Sequence, residues 1–197
     1  MKVILADCET TGGSHSDQVI ELAYVELLPL HLFRTASIPF VESSFYNERF
    51  MPTVPINPHA YECHGITYKE LLGKRKSDEV ELPKDTRILV AHNAQFDWRF
   101  LGKPEVNLIC TLDLAKKMSK FLGFECSNHK LDTLAKELPE LPPIFEVTKY
   151  HSAKNDILKN IAVLQALLKH LPAIESWGHL HEFQQNLKTP IKNEKKK

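Results

Sequence analysis

Three acidic segments stand in a fixed order along this chain, each at the edge of an apolar run. They are Asp7-Cys8-Glu9-Thr10-Thr11-Gly12, His92-Asn93-Ala94-Gln95-Phe96-Asp97 and His151-Ser152-Ala153-Lys154-Asn155-Asp156. A carboxylate next to a buried element has to leave the core at that element's end, because burying an unpaired charge is costly. A strand end and two helix starts that carry these acids, far apart in sequence, could converge on one edge of a sheet.

The flanking residues identify the elements. Val3–Ala6 is an apolar run that ends at Asp7 and leads into Thr10-Thr11-Gly12-Gly13, the pattern of a buried strand and a turn. Val19–Leu28 is rich in β-branched and large apolar residues, and Ser37–Val41 with Phe45–Phe50 extends it into an antiparallel meander. Three prolines in Met51–Pro58 exclude a regular central strand and predict a loop. Thr86–Ala91 reads as a strand, and the spacing of Phe96, Phe100 and Leu101 then turns helical, so the second acidic segment spans a strand-to-helix junction. Val106–Cys110 predicts a short strand, Leu112–Phe121 a helix, and Lys130–Leu138 a helix ended by Pro139, with Pro139–Pro143 as a linker inside the domain. Ile157, Ile161, Leu164 and Leu168 recur at helical spacing, so the third segment opens a long amphipathic helix over Ser152–Leu171. Trp177 and Phe183 mark a last docked helix, with Gln184-Gln185-Asn186-Leu187 on its surface. The pattern predicts an α/β fold, one domain over residues 1–187, and a basic disordered tail over 188–197.

At 197 residues the chain buries a core without metals or disulfides to hold it. Lys+Arg and Asp+Glu both number 25, so no global field draws in a polyanion, and nucleic-acid binding has to be local. Candidate basic patches are Lys74, Arg75 and Lys76, then Lys116, Lys117 and Lys120, then Lys149, Lys154 and Lys159. Cys8, Cys63, Cys110 and Cys126 are widely spaced, which offers no zinc knuckle or Cys-x-x-Cys redox motif and predicts reduced, mostly buried thiols. The apolar start is too short for a signal peptide and no stretch reaches the length of a membrane span, so a soluble cytoplasmic protein with no membrane partner is expected.

Asp7 and Glu9 are one residue apart and share a face of a strand. Singly, such a pair is ordinary surface, Asn93 is a helix cap with Asp97 as its first-turn acid, and His151 is a structural histidine. Jointly, four carboxylates and a histidine carry more. Hard divalent cations prefer oxygen ligands, and two of them can share four carboxylates while leaving positions for a phosphate and a water, which points to two-metal phosphodiester hydrolysis.

The order and contents of the three segments resemble the DEDD superfamily of 3′-to-5′ exonucleases, in the branch whose third motif carries a histidine before its aspartate, with bacterial exonuclease X the most similar group. Asn57–Thr67, Ile109–Ala115 and Lys130–Ala135 resemble the stretches between the family's motifs, and the likeness covers about residues 1–170. It implies a ribonuclease H-like fold, a mixed central sheet with an antiparallel N-terminal meander flanked by helices. It implies that Asp7, Glu9, Asp97 and Asp156 hold two Mg2+ or Mn2+ ions and that His151 is the general base. It places Thr10, Thr11, His64 and Asn93 at the terminal nucleotide of a strand with a free 3′ end, in DNA ahead of RNA. Homodimers occur among such relatives. The implied activity is release of nucleoside 5′-monophosphates in DNA repair. An RNA 3′-end trimmer, a polymerase proofreading subunit and a retired, binding-only nuclease module are the alternatives. Departures from the family lie in Leu28–Phe50 and after Pro172.

Overall fold

The computed structural model describes residues 1–37, 39–138 and 150–187. In chain order the elements are β1 (Lys2–Thr10), β2 (Val19–Glu26), α1 (Leu30–Thr35), β3 (Tyr46–Met51), α2 (Pro58–His64), α3 (Tyr68–Leu71), β4 (Arg75–Lys76), β5 (Thr86–Ala91), α4 (Ala94–Phe100), β6 (Asn107–Cys110), α5 (Thr111–Leu122), α6 (Leu131–Glu137), α7 (Ala153–Lys169) and α8 (Trp177–Asn186). The sheet order is β4-β3-β2-β1-β5-β6. β1–β2 and β2–β3 are antiparallel, whereas β1–β5, β5–β6 and β3–β4 are parallel. This is the expected ribonuclease H-like architecture, a mixed sheet with an N-terminal meander and helices on both faces.

β1 is the axis of the sheet and is buried on both sides. Its alternation sends Val3 and Leu5 into the larger core with α5, α6 and α7, and Ile4 and Ala6 into a smaller one with Trp98 and Phe100 of α4. Carried two residues further, the same alternation puts Asp7 and Glu9 on the face that α7 covers. β1 is longer than its apolar run suggests. It pairs with β2 through Asp7↔Ala23 and Glu9↔Glu21, with an irregularity between Glu9 and Thr10, so the acids emerge within the ladder and not beyond it. β5 runs parallel to β1, so its carboxyl end lies at the same edge and delivers α4 and Asp97 there.

The Leu28–Phe50 region departs from the sequence reading. Residues Leu30–Thr35 form α1, which buries Leu30 and Phe33 in the larger core. Ser37–Val41 makes no strand among its described residues beyond a single bridge, Leu27↔Phe40. The reason is position. Phe33 packs edge-on against Trp177 at 5.1 Å between ring centroids, a helix-on-helix contact that local β propensity cannot foresee. The Pro139–Pro143 linker and the basic tail over 188–197 lie outside the described residues.

Candidate active site

Asp7, Glu9 and Asp156 each offer a ligand atom, and these atoms all lie within 4.8 Å of one another. Two come from alternate positions of β1 and the third from the first turn of α7. The helix start is fixed by Glu21 of β2, whose Oε2 accepts the Ala153 N–H at 3.0 Å while its Oε1 accepts Arg49 Nε–H at 3.1 Å. Asp97, expected as a fourth ligand, is buried but outside this three-acid cluster. Its Oδ1 accepts the Cys8 N–H at 3.0 Å, which ties α4 to β1 from the opposite face.

Crowded, buried carboxylates resist ionisation. Asp7 is pushed well above the usual carboxylate range by burial first and then by Asp97 and Asp156. Glu9 is pushed up to about 8 by burial and then Asp156, and Asp97 to about 7 by burial. A site of all-oxygen donors with uncompensated negative charge suits a hard divalent cation, and Asp7, Glu9 and Asp156 could hold one directly.

His151 stands two residues ahead of α7 and is half-exposed. Its Nδ1–H donates to Asp156 Oδ2 at 2.9 Å, and its Nε2 lies 3.6 Å from Asp132 Oδ2 of α6. The Asp156 hydrogen bond raises its pKa above the ordinary histidine value. Gly65 helps seat this segment. Its φ of +66° closes α2 in the left-handed region, and a Cβ there would lie 2.8 Å from the Tyr150 ring, directly before His151. The His151 N–H donates to the Cys63 carbonyl at 2.9 Å.

The other expected contacts are placed as follows. Thr10 Oγ1 donates to the Gly12 carbonyl at 2.7 Å, and Thr11 Oγ1 donates to Asp17 Oδ1 at 2.8 Å and accepts the Gln18 N–H at 3.0 Å. Both hydroxyl protons are therefore spent inside the β1–β2 turn. His64 is buried, with Nδ1 accepting the Ile66 N–H at 2.9 Å. Its Nε2 has no hydrogen-bond partner among the described residues. Burial lowers its pKa, opposed by the nearby Thr10 carbonyl. Asn93 does occupy the cap position of α4, but by adopting φ +72° and not through a side-chain cap bond.

A cavity of about 610 Å³ opens onto this edge, lined by Asp7, His92, Lys116, Lys130, Asp132, His151 and Asp156 among others. A larger depression of about 730 Å³, lined by Met1, Arg87 and Lys103, sits where β1, β5 and β6 begin and offers one carboxylate, Glu105. The former carries Asp7, His151 and Asp156 and lies at the carboxyl ends of the parallel strands.

Five residues that shape the site carried little sequence signal. Glu21 interrupts the apolar run Val19-Ile20-Glu21-Leu22, which was its one visible mark. His92 is clamped between Thr111 Oγ1 and the His129 carbonyl, both at 3.0 Å, and burial lowers its pKa to about 4. Asp132 and Lys159 pair at 2.7 Å; Lys159, expected as a strand contact, is buried instead. Gln184, expected on a helix surface, is buried and exchanges hydrogen bonds with the Cys110 N–H and carbonyl at 3.2 and 3.3 Å, covering the edge of β6.

A ribonuclease H-like sheet with acids from its central strand, from the helix after a parallel neighbour and from a late helix defines the class of metal-dependent phosphodiester hydrolases. Within it the chain belongs to the exonuclease family, whose RNase_T model matches residues 4–164. The chain thus carries an exonuclease-family domain over most of its length. Among sequence relatives, DNA polymerase III PolC-type from Bacillus cereus is 34% identical over 193 residues, 91% of this chain and 12% of that protein. The Bacillus subtilis counterpart is 32% identical over 84% of this chain and 11% of its own length. The chain thus spans about one-eighth of the length of these relatives. Among solved structures, exonuclease X in complex with 5′ overhanging duplex DNA superposes with a TM-score of 0.64 at 24% identity, covering 90% of this chain and 99% of the other. Exonuclease I of E. coli in complex with a 5cy-dA13 oligonucleotide superposes at 0.64 and 14% identity over 92% of this chain and 42% of that one. No helix among the described residues is long and apolar enough to cross a membrane.

Proposed function

We propose that residues 1–187 form one 3′-to-5′ exonuclease domain that hydrolyses the terminal phosphodiester of DNA and releases nucleoside 5′-monophosphates. The observation that carries this reading is the meeting of Asp7, Glu9 and Asp156 beside a half-exposed His151 at the mouth of an open cavity. Asp7, Glu9 and Asp156 would hold one Mg2+ or Mn2+, and Asp7 with Asp97 would support a second. When bound, the ions supply an acidified water and charge neutralisation at the leaving 3′ oxygen.

The protein's own groups do the rest. His151 takes the proton of the attacking water, a role suited to an imidazole that reaches solvent and is oriented by Asp156. Lys116 and Lys130, on the cavity wall, hold the phosphates. His64, with its unpartnered Nε2 beside Thr10, contacts the terminal nucleotide. Thr10 and Thr11 shape the turn against which the terminal sugar rests, and Asn93 sets the α4 entry. All four cysteines are free thiols, which suits the cytoplasm, although only Cys8 is buried and Cys63, near the end of α2, is exposed, against the expectation of mostly buried thiols.

The polymerase relatives favour a second reading, proofreading of a mispaired primer end. Strands carrying a label at either end separate these possibilities. Release of the 3′ label as a mononucleotide, lost in Asp7→Ala, supports the exonuclease; early release of the 5′ label or internal fragments contradicts it. Faster attack on a mispaired than on a paired 3′ end selects proofreading, and a matched RNA strand degraded faster than DNA selects the RNA-trimming alternative. The implied homodimer is read by sedimentation of the same samples.

A further inference from the structure

Lys159 is a buried cation inside an acidic site. It lies one turn beyond Asp156 on α7, is 8% exposed, and donates from Nζ to Asp156 Oδ1 and to Asp132 Oδ1, both at 2.7 Å. His151 closes the ring, donating from Nδ1 to Asp156 Oδ2 at 2.9 Å with its Nε2 3.6 Å from Asp132 Oδ2. Both Asp156 oxygens are therefore engaged by positively charged or polar donors of the chain itself.

The two donors differ in freedom. His151 is half-exposed and precedes the helix, so water screens its interaction with Asp156. Lys159 is anchored on the helix, enclosed, and held from its other side by Asp132, so it stays. We propose that Lys159 is a built-in counter-ion that competes with divalent metal for Asp156 and sets how tightly the site holds it. Resting on the metal-site reading above, this makes Lys159 a positioning residue with two opposed effects. Its charge repels the incoming cation, which lowers affinity, and its hydrogen bond fixes the Asp156 carboxylate, which raises turnover.

Mn2+ titration of the full chain, followed by the electron paramagnetic resonance signal of the free ion, tests this alongside kcat on a labelled strand. Lys159→Met is expected to bind Mn2+ about fivefold more tightly and yet to turn over about tenfold more slowly. Asp132→Asn leaves Lys159 wholly to Asp156 and is expected to bind about threefold more weakly. Lys136→Met, an exposed cation one turn along α6 from Asp132, is expected to change affinity less than about twofold. Unchanged or weaker binding by Lys159→Met, or tighter binding by Asp132→Asn, overturns the proposal. Asp132 is 42% exposed, so its variant keeps the test open if Lys159→Met does not fold. Wild-type protein that binds no Mn2+ removes the metal site itself and the counter-ion with it, whereas wild-type binding without the expected shifts removes the counter-ion alone.

Discussion

His151 and Asp156 are five residues apart, and their hydrogen bond at 2.9 Å orients a half-exposed imidazole beside the acids, the arrangement a general base requires. His151→Ala is therefore expected to lower kcat by about 10²–10⁴-fold while Mn2+ affinity changes little, read by steady-state kinetics beside a metal titration. A parallel loss of both would instead make it a structural residue of the metal site. At this scale the sequence was most informative where chemistry and periodicity coincide. Asp7 and Glu9 share a face because strands alternate, and Asp156 opens a helix whose apolar positions are regular. Residues whose role lies in a partner were hidden. Glu21, Asp132 and Lys159 act through α7, β3 and one another, and single-chain periodicity does not say which distant element will supply the other half of an ion pair. Asp97 meets β1 from the α4 side, where its Oδ1 accepts the Cys8 N–H and its charge raises the pKa of Asp7, a position that periodicity alone does not give.

The helix α7 carries most of the burden at the level of elements. Ile157, Ile161, Leu164 and Leu168 bury its apolar face in the core under β1 and β2, while its first turn presents Asp156. Leu164→Ala, at a position with no exposure, is expected to cost about 2–5 kcal/mol in denaturant unfolding. A second element-level constraint is the α2 terminus. Gly65→Ala places a Cβ at φ +66° against the Tyr150 ring and is expected to cost about 1–3 kcal/mol and to lower turnover by displacing the His151 segment. A variant as stable and active as wild type would show that this contact does not seat the histidine. Of the two, α7 was readable because a long helix leaves a strong local pattern, whereas the seven-residue α2 is too short to show one. The short α1 was not readable either, since six residues with no acid in the first turn and no side-chain cap form a helix only because Phe33 has Trp177 to pack on.

For the whole molecule, the acids at the sheet edge set a pH dependence. Asp7, Glu9 and Asp97 have pKa values raised by burial, with Glu9 at about 8 and Asp97 at about 7. In the unfolded chain such groups titrate near ~4, so between these values the folded state holds more protons. The metal-free protein is therefore expected to lose stability as pH rises from about 5 to about 8, and the melting temperature in chelator should fall over that window. Mg2+ should restore stability more at pH 8 than at pH 5, because it binds the deprotonated acids. Melting that is flat with pH and indifferent to Mg2+ would contradict this. The sheet order itself was only partly legible, since the two-residue β4 and the chain's return to pair β5 beside β1 depend on long-range packing.

Acids from β1 and α7 meet at the sheet edge in the arrangement that would hold catalytic metal. Anomalous diffraction from crystals grown with Mn2+ tests it most directly. A peak within coordination distance of Asp7, Glu9 and Asp156 is the expected result, and Mn2+ bound elsewhere with those carboxylates unliganded would contradict it.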